Sequence, residues 1–253
     1  MNASLAAVHA PPPPAALSIA FILLVTVLYL GVLAWLRGAG VGAARIAVTR
    51  LVLLAWLMVA AVAAMAGLLN DFYSLPPRFA FIVAPANLTA IIIAVHPRTG
   101  PLLDRASGAW LVGFQFFRVP MELILWQLAV AKVIPVVMTF EGRNFDVLAG
   151  LSAPVIAWLA FSKKWLSPGP VIFWNLFGLA LLGNIVIIAA LSTPTRFRQF
   201  FEGPPNEMIA GFPFVWLIGF VIQLAFLGHL ASIRQQVRVL RAARLNPVAA
   251  EPT

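Results

Sequence analysis

The 253-residue chain contains no cysteine, only eight acidic residues and only three histidines. Without cysteine it can form no disulfide, no cysteine-ligated zinc or iron–sulfur site and no thiol nucleophile. Charged residues make up 10% of the chain and hydrophobic residues 62%. A water-soluble domain with this balance would lack the polar groups needed to cover its surface. The composition therefore predicts an integral membrane protein.

Long apolar runs fill most of the chain, and a helix needs roughly 20 apolar residues to cross the ~30 Å hydrocarbon layer. The runs are continuous rather than alternating, which favours helices over a barrel. We expect an all-α bundle of seven transmembrane helices, with residues 1–14 as a proline-rich extracytoplasmic leader, 15–233 as the transmembrane domain and 234–253 as a basic cytoplasmic tail. The expected helices lie at about 15–36, 46–69, 79–95, 108–137, 145–161, 170–191 and 211–233.

The basic residues predict the orientation. If the N-terminus is outside, eleven lysines and arginines fall in inner segments, four fall in outer segments, and Arg118 and Lys132 lie within the fourth span. Positive charge favours the cytoplasmic side, so we expect the C-terminus to be cytoplasmic in a multi-pass protein of the inner (plasma) membrane. The inner residues are Arg37, Arg45, Arg50, Arg98, Arg105, Lys163, Lys164, Arg234, Arg238, Arg241 and Arg244, and the outer ones are Arg78, Arg143, Arg196 and Arg198.

Charge distribution and small residues also suggest partners. The cations are scattered between apolar runs, a pattern that does not favour nucleic-acid binding. The four arginines of the tail, from Arg234 to Arg244, are instead predicted to form a helical extension of the seventh span and to meet anionic lipid headgroups of the bilayer. In the second span, the small-xxx-small pairs Ala60/Ala64 and Ala63/Gly67 permit close packing, either within the bundle or in a homo-oligomer or with a membrane partner.

The fourth span carries a polar stripe. Counted from its inner end at ~1.5 Å per residue, Arg118 and Glu122 lie about 16 and 22 Å deep and bracket the bilayer midplane. An ionised side chain at that depth costs ~3 kcal/mol or more, so such residues are usually paired and functional. Their spacing of four predicts a salt bridge within the helix. Gln115 and Trp126 share the same sector of about 60°, and Lys132 lies at its margin, nearer the outer surface.

Further polar residues surround this stripe. Pro120 and Pro135 are predicted to interrupt the helix. The run from Met138 to Asp146 follows at the outer rim, where Asn144 is predicted to cap the fifth helix. Mid-helix polar side chains elsewhere have two interpretations, because they either line a cavity around Arg118 or simply bond neighbouring helices. The candidates for the cavity are Thr26, Tyr29, Asn87, Ser152, Asn175, Asn184 and Gln223, of which Asn87, Asn184 and Gln223 are assigned to the binding site.

Several chemistries lack the residues they require. The seventh span has no lysine for a retinal Schiff base. The three histidines show no ligand spacing, although His96 and His229, with Asp104, both lie toward the inner side and would be the candidates for a metal or haem. We find no phosphate-binding loop, nucleophile elbow or paired catalytic carboxylates. We therefore predict no cofactor and no metal, and an enzyme is not the favoured class.

The leading hypothesis is a membrane protein that binds or conducts a small polar solute, an anion or a proton through an intramembrane cavity that opens outward. The alternatives are a seven-helix sensor or receptor, a non-catalytic scaffold or assembly subunit, and an intramembrane enzyme. The predicted binding residues, centred on Arg118 and Glu122, are Gln115, Arg118, Glu122, Trp126, Lys132, Asn87, Asn184, Gln223, Glu141, Arg143, Asn144 and Asp146.

Overall fold

A computed structural model describes residues 10–245. The fold is all-helical, with 72% helix and no strand in the part described. Short 3₁₀ turns lie at Phe114–Phe117, Val136–Met138 and Met208–Ala210, and single π-helical turns at Trp158–Ser162 and Leu217–Val221. The α-helices are α1 (Ala15–Gly38), α2 (Ala43–Met65), α3 (Ala80–Val95), α4 (Gly100–Asp104), α5 (Gly108–Gly113), α6 (Arg118–Val130), α7 (Val147–Ala157), α8 (Pro168–Ser192) and α9 (Ile222–Leu245).

Five helices are long and apolar enough to cross a membrane, as expected for a polytopic membrane protein. They are Ala15–Gly38, Ala43–Met65, Gly108–Val130, Pro168–Ser192 and Leu217–Leu245. The third of these joins α5, the 3₁₀ turn and α6, and the fifth joins the π-helical turn to α9. Two further apolar helices are shorter, at Ala80–Val95 and Val147–Ser162.

The helices differ in how central they are. Only 17% of the apolar stretch of α2 is buried, against 56% for Leu217–Leu245. Most of α2 therefore lies at the periphery, while α9 packs against α3, α5 and α8. Within α2, Ala60 and Ala64 are buried, so this small-residue pair is used for packing inside the chain.

The basic tail begins as part of α9, which runs unbroken to Leu245, and this confirms the predicted helical extension of the seventh span. Arg234 Nε lies 3.4 Å from Asp104 Oδ1, and Arg238 also pairs with Asp104. Gln235 Nε2 donates to the carbonyls of Leu103 and Ala106, at 3.0 and 2.8 Å. The start of the tail is thereby fixed to the segment that follows α3.

The fourth predicted span is shorter than expected, because the helix ends at Val130 rather than at residue 137. The end has the hydrogen bonds of a Schellman motif, with Val133 N–H donating to Leu128 O at 2.8 Å and Lys132 N–H to Ala129 O at 2.9 Å. Lys132 takes the left-handed conformation, φ 59°, that glycine usually provides at this position. Pro135 therefore lies beyond the helix, and the prediction that it kinks the helix is wrong.

The structure does show an interruption of the helix near Pro120, as predicted. The four residues before Arg118 form a 3₁₀ turn, and Pro120 follows in the first turn of α6. Proline has no N–H to donate to the Phe116 carbonyl, so the α-helical ladder is broken at this level.

Residues 131–146, which we call the re-entrant segment, turn back along α6. Asp146 Oδ2 lies 3.2 Å from Nε of Arg118, the first residue of α6. Arg118 precedes the end of α6 by 12 residues, or about 18 Å. Gly150 of α7 packs against Val119, so α7 begins at the level of the middle of the Gly108–Val130 helix. The predicted position of Asp146 at the outer rim is therefore wrong.

Candidate functional site

Four of the predicted binding residues, Arg118, Glu122, Asn144 and Asp146, are buried and close together, and we call them the buried cluster. The Arg118 Nε atom is 3.2 Å from Asp146 Oδ2. Its Nη1 and Nη2 atoms both donate to the Gly178 carbonyl of α8, at 3.3 and 3.4 Å. Two other segments, the residue before α7 and the middle of α8, therefore hold the guanidinium of α6.

The predicted salt bridge between Arg118 and Glu122 is not formed, since the ion pair that Arg118 makes within residues 10–245 is with Asp146. Two effects explain this. Helical side chains lean toward the N-terminus, which carries the Arg118 side chain away from Glu122 on the next turn. A base followed by an acid four residues later is also the less favourable order for a helical pair.

Asn144 is the partner that Glu122 has instead. Its Nδ2 atom donates to both carboxyl oxygens of Glu122, each at 2.7 Å, and lies 3.1 Å from the Met138 carbonyl oxygen. Its Oδ1 atom accepts the N–H of Asp146 at 3.0 Å, just before the first residue of α7. Asn144 thus links the carboxyl group of Glu122 to the backbone of Asp146, which is the N-cap residue of α7, and it does not occupy the cap position itself as predicted.

A tight turn positions Asn144. The Thr139 carbonyl accepts N–H groups from Gly142 at 2.9 Å and from Asn144 at 3.1 Å, and the Thr139 hydroxyl donates to Val136 O at 2.9 Å. A Cβ atom at Gly142 would overlap the backbone of Val136, so the turn closes only around glycine. The Met138–Asp146 run therefore brings two residues of the buried cluster, Asn144 and Asp146, back to the middle of the bundle.

The buried cluster contains one guanidinium and two carboxyl groups. It is electrically neutral only when it also binds one proton, and a net charge in this surrounding would be costly. The N-terminus of α7, at Val147, adds a partial positive charge beside Asp146. Asp146 Oδ1 is buried and accepts no hydrogen bond from residues 10–245. One oxygen of the cluster is thus free to receive a proton or a water.

A cavity of about 60 Å³ adjoins the cluster and is lined by Arg118, Glu122, Asp146 and Met138, with apolar residues of α8 and α9 around them. A water molecule takes up about 30 Å³, so this space holds about two waters. A sugar, an amino acid or a comparable solute does not fit the cavity in this conformation.

The remaining residues of the predicted stripe have other surroundings. Gln115 is buried and its Nε2 atom donates to the Ala225 carbonyl of α9 at 3.0 Å. Trp126 packs on Phe140, with ring centroids 5.8 Å apart, and its indole N–H has no acceptor within residues 10–245. The structure therefore places these two residues next to the re-entrant segment and α9, outside the contacts of the buried cluster.

The mid-helix amides form links between elements. Gln223 Nε2 donates to Asn87 Oδ1 at 2.7 Å and so joins α9 to α3. Asn184 Nδ2 donates to the Arg143 carbonyl at 2.7 Å and so joins α8 to the re-entrant segment. These contacts match the interpretation of such residues as bonds between helices rather than as a cavity lining.

Lys132 and Arg143 line a second, larger space of about 700 Å³, which we call the outer cleft after the orientation predicted from the sequence. It lies between the end of α6 and residues 199–204, and residues 136 and 137 of the re-entrant segment line its side toward the cluster. Arg143 stacks over the Phe200 ring, with its Cζ atom 5.6 Å from the ring centroid. Glu141 is exposed and lines neither this cleft nor the small cavity.

Sequence reasoning named Asn175 as a possible cavity residue but missed the group of polar side chains that it forms with His229. This histidine is fully buried, with Nδ1 2.9 Å from Asn175 Oδ1, and Asn175 Nδ2 donates to Ser232 Oγ at 2.9 Å. Gly178 leaves room for the imidazole, because a Cβ atom there would overlap it. The available signal was the three-residue spacing of His229 and Ser232 on one helix face, opposite a mid-helix asparagine.

The two histidines considered as a metal pair have separate partners. His96 ends α3, and its Nδ1 atom accepts the N–H of Arg98 at 3.1 Å. Asp104, the third candidate, binds the arginines of α9. Residues 10–245 contain no group of three or more histidines and carboxylates arranged to hold a metal ion.

The chain was compared with models of protein families, with curated proteins and with solved structures, and nothing matched in any of the three.

Proposed function

We propose that the buried cluster binds and passes a proton in a polytopic membrane protein, with Glu122 and Asp146 as the proton-carrying groups and Arg118 as their counter-ion. The observation that carries this proposal is the combination of two carboxyl groups, one guanidinium and a cavity of about 60 Å³ among them. Of the cargoes considered from the sequence, a larger polar solute exceeds this volume, and an anion is disfavoured by the two carboxyl groups, so a proton moving through one or two waters fits the site best.

The proposal includes seven crossings with the N-terminus outside. Ala80–Val95 has 16 residues, or about 24 Å, and is counted as one crossing. Val147–Ser162 begins at the level of the middle of the bundle and is counted as a crossing together with the re-entrant segment that precedes it, which brings the five long helices to seven. Contacts between connections support this threading, since Asp104 after α3 meets Arg234 of α9 and Arg143 after α6 meets Phe200 after α8. The ratio of eleven inner to four outer basic residues supports the orientation and an inner-membrane location.

The re-entrant segment is the gate in this proposal. Non-helical backbone at membrane depth is tolerated where it is buried in protein or lines a water-filled space, and interrupted helices are common in transport sites. Residues 136–138 and Asn144 separate the outer cleft from the small cavity. Conduction requires this barrier to part, so that water in the cleft reaches Glu122.

Proton flux into liposomes tests the proposal. The purified protein is reconstituted with a pH-sensitive dye inside, and a potassium diffusion potential drives proton entry. We expect flux above protein-free liposomes, and Glu122→Gln should reduce it to that background because it removes a titrating group without changing size. The matched control is Glu141→Gln, an exposed glutamate of the re-entrant segment that should leave flux unchanged. No flux from folded wild-type protein, or equal losses in both variants, would reject the proposal.

A non-catalytic scaffold is the second candidate, and one observation favours it. Gln115, Asn184 and Gln223 all bond other elements, so much of the buried polarity serves packing. In a scaffold the buried cluster would only lock the re-entrant segment to α6. One pair of measurements distinguishes the two functions. If the protein is a scaffold, Glu122→Gln lowers its stability and liposomes that contain the wild-type protein show no proton flux.

A further inference from the structure

We infer that the outer cleft binds the headgroup of an anionic lipid, with Lys132 and Arg143 on its phosphate. The cleft volume of about 700 Å³ lies within the roughly 300–1,000 Å³ of typical ligand sites. Its walls combine cationic groups with valines, phenylalanines and a proline. Such a combination suits an amphiphile, which presents a charged head and an apolar body. The inference is independent of proton conduction.

The cations of the cleft are available to a ligand. Lys132 and Arg143 make no ion pair with an acidic residue within residues 10–245, and the acidic residue on the wall, Glu202, makes none either. The cleft therefore has a net positive charge of one, with Glu202 the opposing group. A phosphate headgroup supplies the acceptor oxygens that an ammonium and a guanidinium require.

The backbone at Lys132 gives a separate indication. Its left-handed conformation, φ 59°, is strained for any residue with a Cβ atom and is usually occupied by glycine. Backbone strain of this kind is concentrated at functional sites. Here it places an ammonium group at the cleft where glycine would satisfy the turn alone.

The opposite wall of the cleft, residues 199–204, is held in place by hydrogen bonds. Arg198 donates to the carbonyls of Phe200 at 2.9 Å and Gly203 at 3.3 Å, which closes residues 198–203 into a ring. Asn206 is fully buried, and its Nδ2 atom donates to the Ala189 carbonyl of α8 at 3.2 Å. The cleft thus has fixed sides that can distinguish headgroups.

The position of the cleft favours a lipid over a soluble phosphate. It lies where α6 and α8 end, which is the level of the headgroups in either orientation. Its rim is apolar and open, with Val130, Val136 and Phe201 exposed to 62%, 51% and 71%. Acyl chains cover such side chains, and a lipid reaches the cleft by lateral diffusion from the surrounding leaflet.

Lipid retention measured by native mass spectrometry tests the inference. The full chain is released from mixed micelles that contain phosphatidylglycerol and phosphatidylcholine in equal amounts. We expect one phosphatidylglycerol to be retained preferentially. Lys132→Gly, which keeps the turn and removes the charge, should lower that preference about fivefold, and adding Arg143→Gln should lower it about 30-fold in total.

A matched control exists near the opposite ends of the helices. Lys164 also has a left-handed backbone, φ 56°, so Lys164→Gly with Arg105→Gln removes the same charges at the same kind of position outside the cleft. This control should keep the preference. Glu202→Gln should raise it severalfold, a gain that misfolding cannot produce.

Three results would overturn the inference. Equal retention of the two lipids by wild-type protein would show that the cleft does not select an anionic headgroup. An equal loss in the cleft variant and in the control would show that only overall charge matters. Displacement of the lipid by an equal concentration of glycerol 3-phosphate would assign the cleft to a soluble phosphate instead.

Discussion

The partner of Arg118 can be measured by comparing two double-mutant cycles. The structure pairs Arg118 with Asp146 at 3.2 Å and leaves Glu122 bonded to Asn144. Asp146→Asn removes the charge but keeps the size, so Arg118 loses its counter-ion and keeps its hydrogen bonds to the Gly178 carbonyl. Removing one member of a buried ion pair costs about 3–5 kcal/mol. We expect about 3 kcal/mol, since the carbonyl remains.

The couplings should differ in size. Arg118→Met combined with Asp146→Asn should cost less than the sum of the single changes by about 2 kcal/mol, because the double variant leaves no unpaired charge. Arg118→Met combined with Glu122→Gln should show a coupling below about 1 kcal/mol. The free energy of unfolding is obtained from titration with sodium dodecyl sulfate in mixed micelles, followed by the fluorescence of the eight tryptophans.

A surface pair provides the reference. Arg78 and Asp71 lie 3.4 Å apart with both side chains well exposed, and such pairs contribute about 0–1 kcal/mol. A coupling of Arg118 to Glu122 that equals or exceeds its coupling to Asp146 would refute the assignment. So would an Asp146→Asn variant that is no less stable than Asp71→Asn.

Three further changes have defined outcomes in the same unfolding assay. Gly178→Ala should lower the free energy of unfolding by about 1–3 kcal/mol, because the new methyl group overlaps the imidazole of His229. Gly183 has open space around it, so Gly183→Ala should be neutral or stabilising by up to ~1 kcal/mol. Equal effects of the two changes would contradict the packing of Gly178 against His229. Lys132→Gly should stabilise the protein by about 1 kcal/mol by relieving the left-handed backbone, and a loss of stability would mean that the lysine side chain makes a stabilising contact. Gln223→Leu should cost about 0.6–2 kcal/mol and leave proton flux unchanged, since its amide only bonds α3, and altered flux would place it in the pathway.

The helices were predictable from the sequence to within a few residues, with two main exceptions. Apolar runs mark the helices because lipid demands long uninterrupted apolar segments. The exception at the fourth span arose because Val133 to Met138 is as apolar as a helix, and an apolar run does not distinguish helix from buried irregular backbone. Lysine in place of glycine at position 132 also concealed the helix end. The other exception is the start of the last helix, at Leu217 rather than at residue 211, whereas its helical extension past residue 233 was predicted.

The candidate site was predictable as a set but not as a geometry. Burial of charge drew attention to Arg118 and Glu122, and the polar run after the fourth span drew attention to Asn144 and Asp146. Spacing along one helix then suggested a local pair. The actual partner of Arg118, Asp146, is 28 residues away in the sequence. The chain reverses direction between them, and the hydrophobic periodicity of the sequence gives no sign of that reversal. For Asn87 and Gln223 the sequence left two interpretations open, and their mutual hydrogen bond matches the one in which such residues join neighbouring helices.

The late arrival of the partners of Arg118 bears on how this protein enters its membrane. The Gly108–Val130 helix carries two ionisable residues near its middle, and each costs about 2.5–3.5 kcal/mol on insertion scales when a helix enters lipid alone. Asp146 is synthesised 28 residues after Arg118, and the Gly178 carbonyl 60 residues after it. Until both have emerged, the only acidic residue on this helix is Glu122, which follows the arginine in the less favourable order for a helical pair. The nascent chain is therefore expected to hold the segment beside the insertion machinery and to release it as a group with α7 and α8, so that integration of the bundle is a cooperative event late in translation.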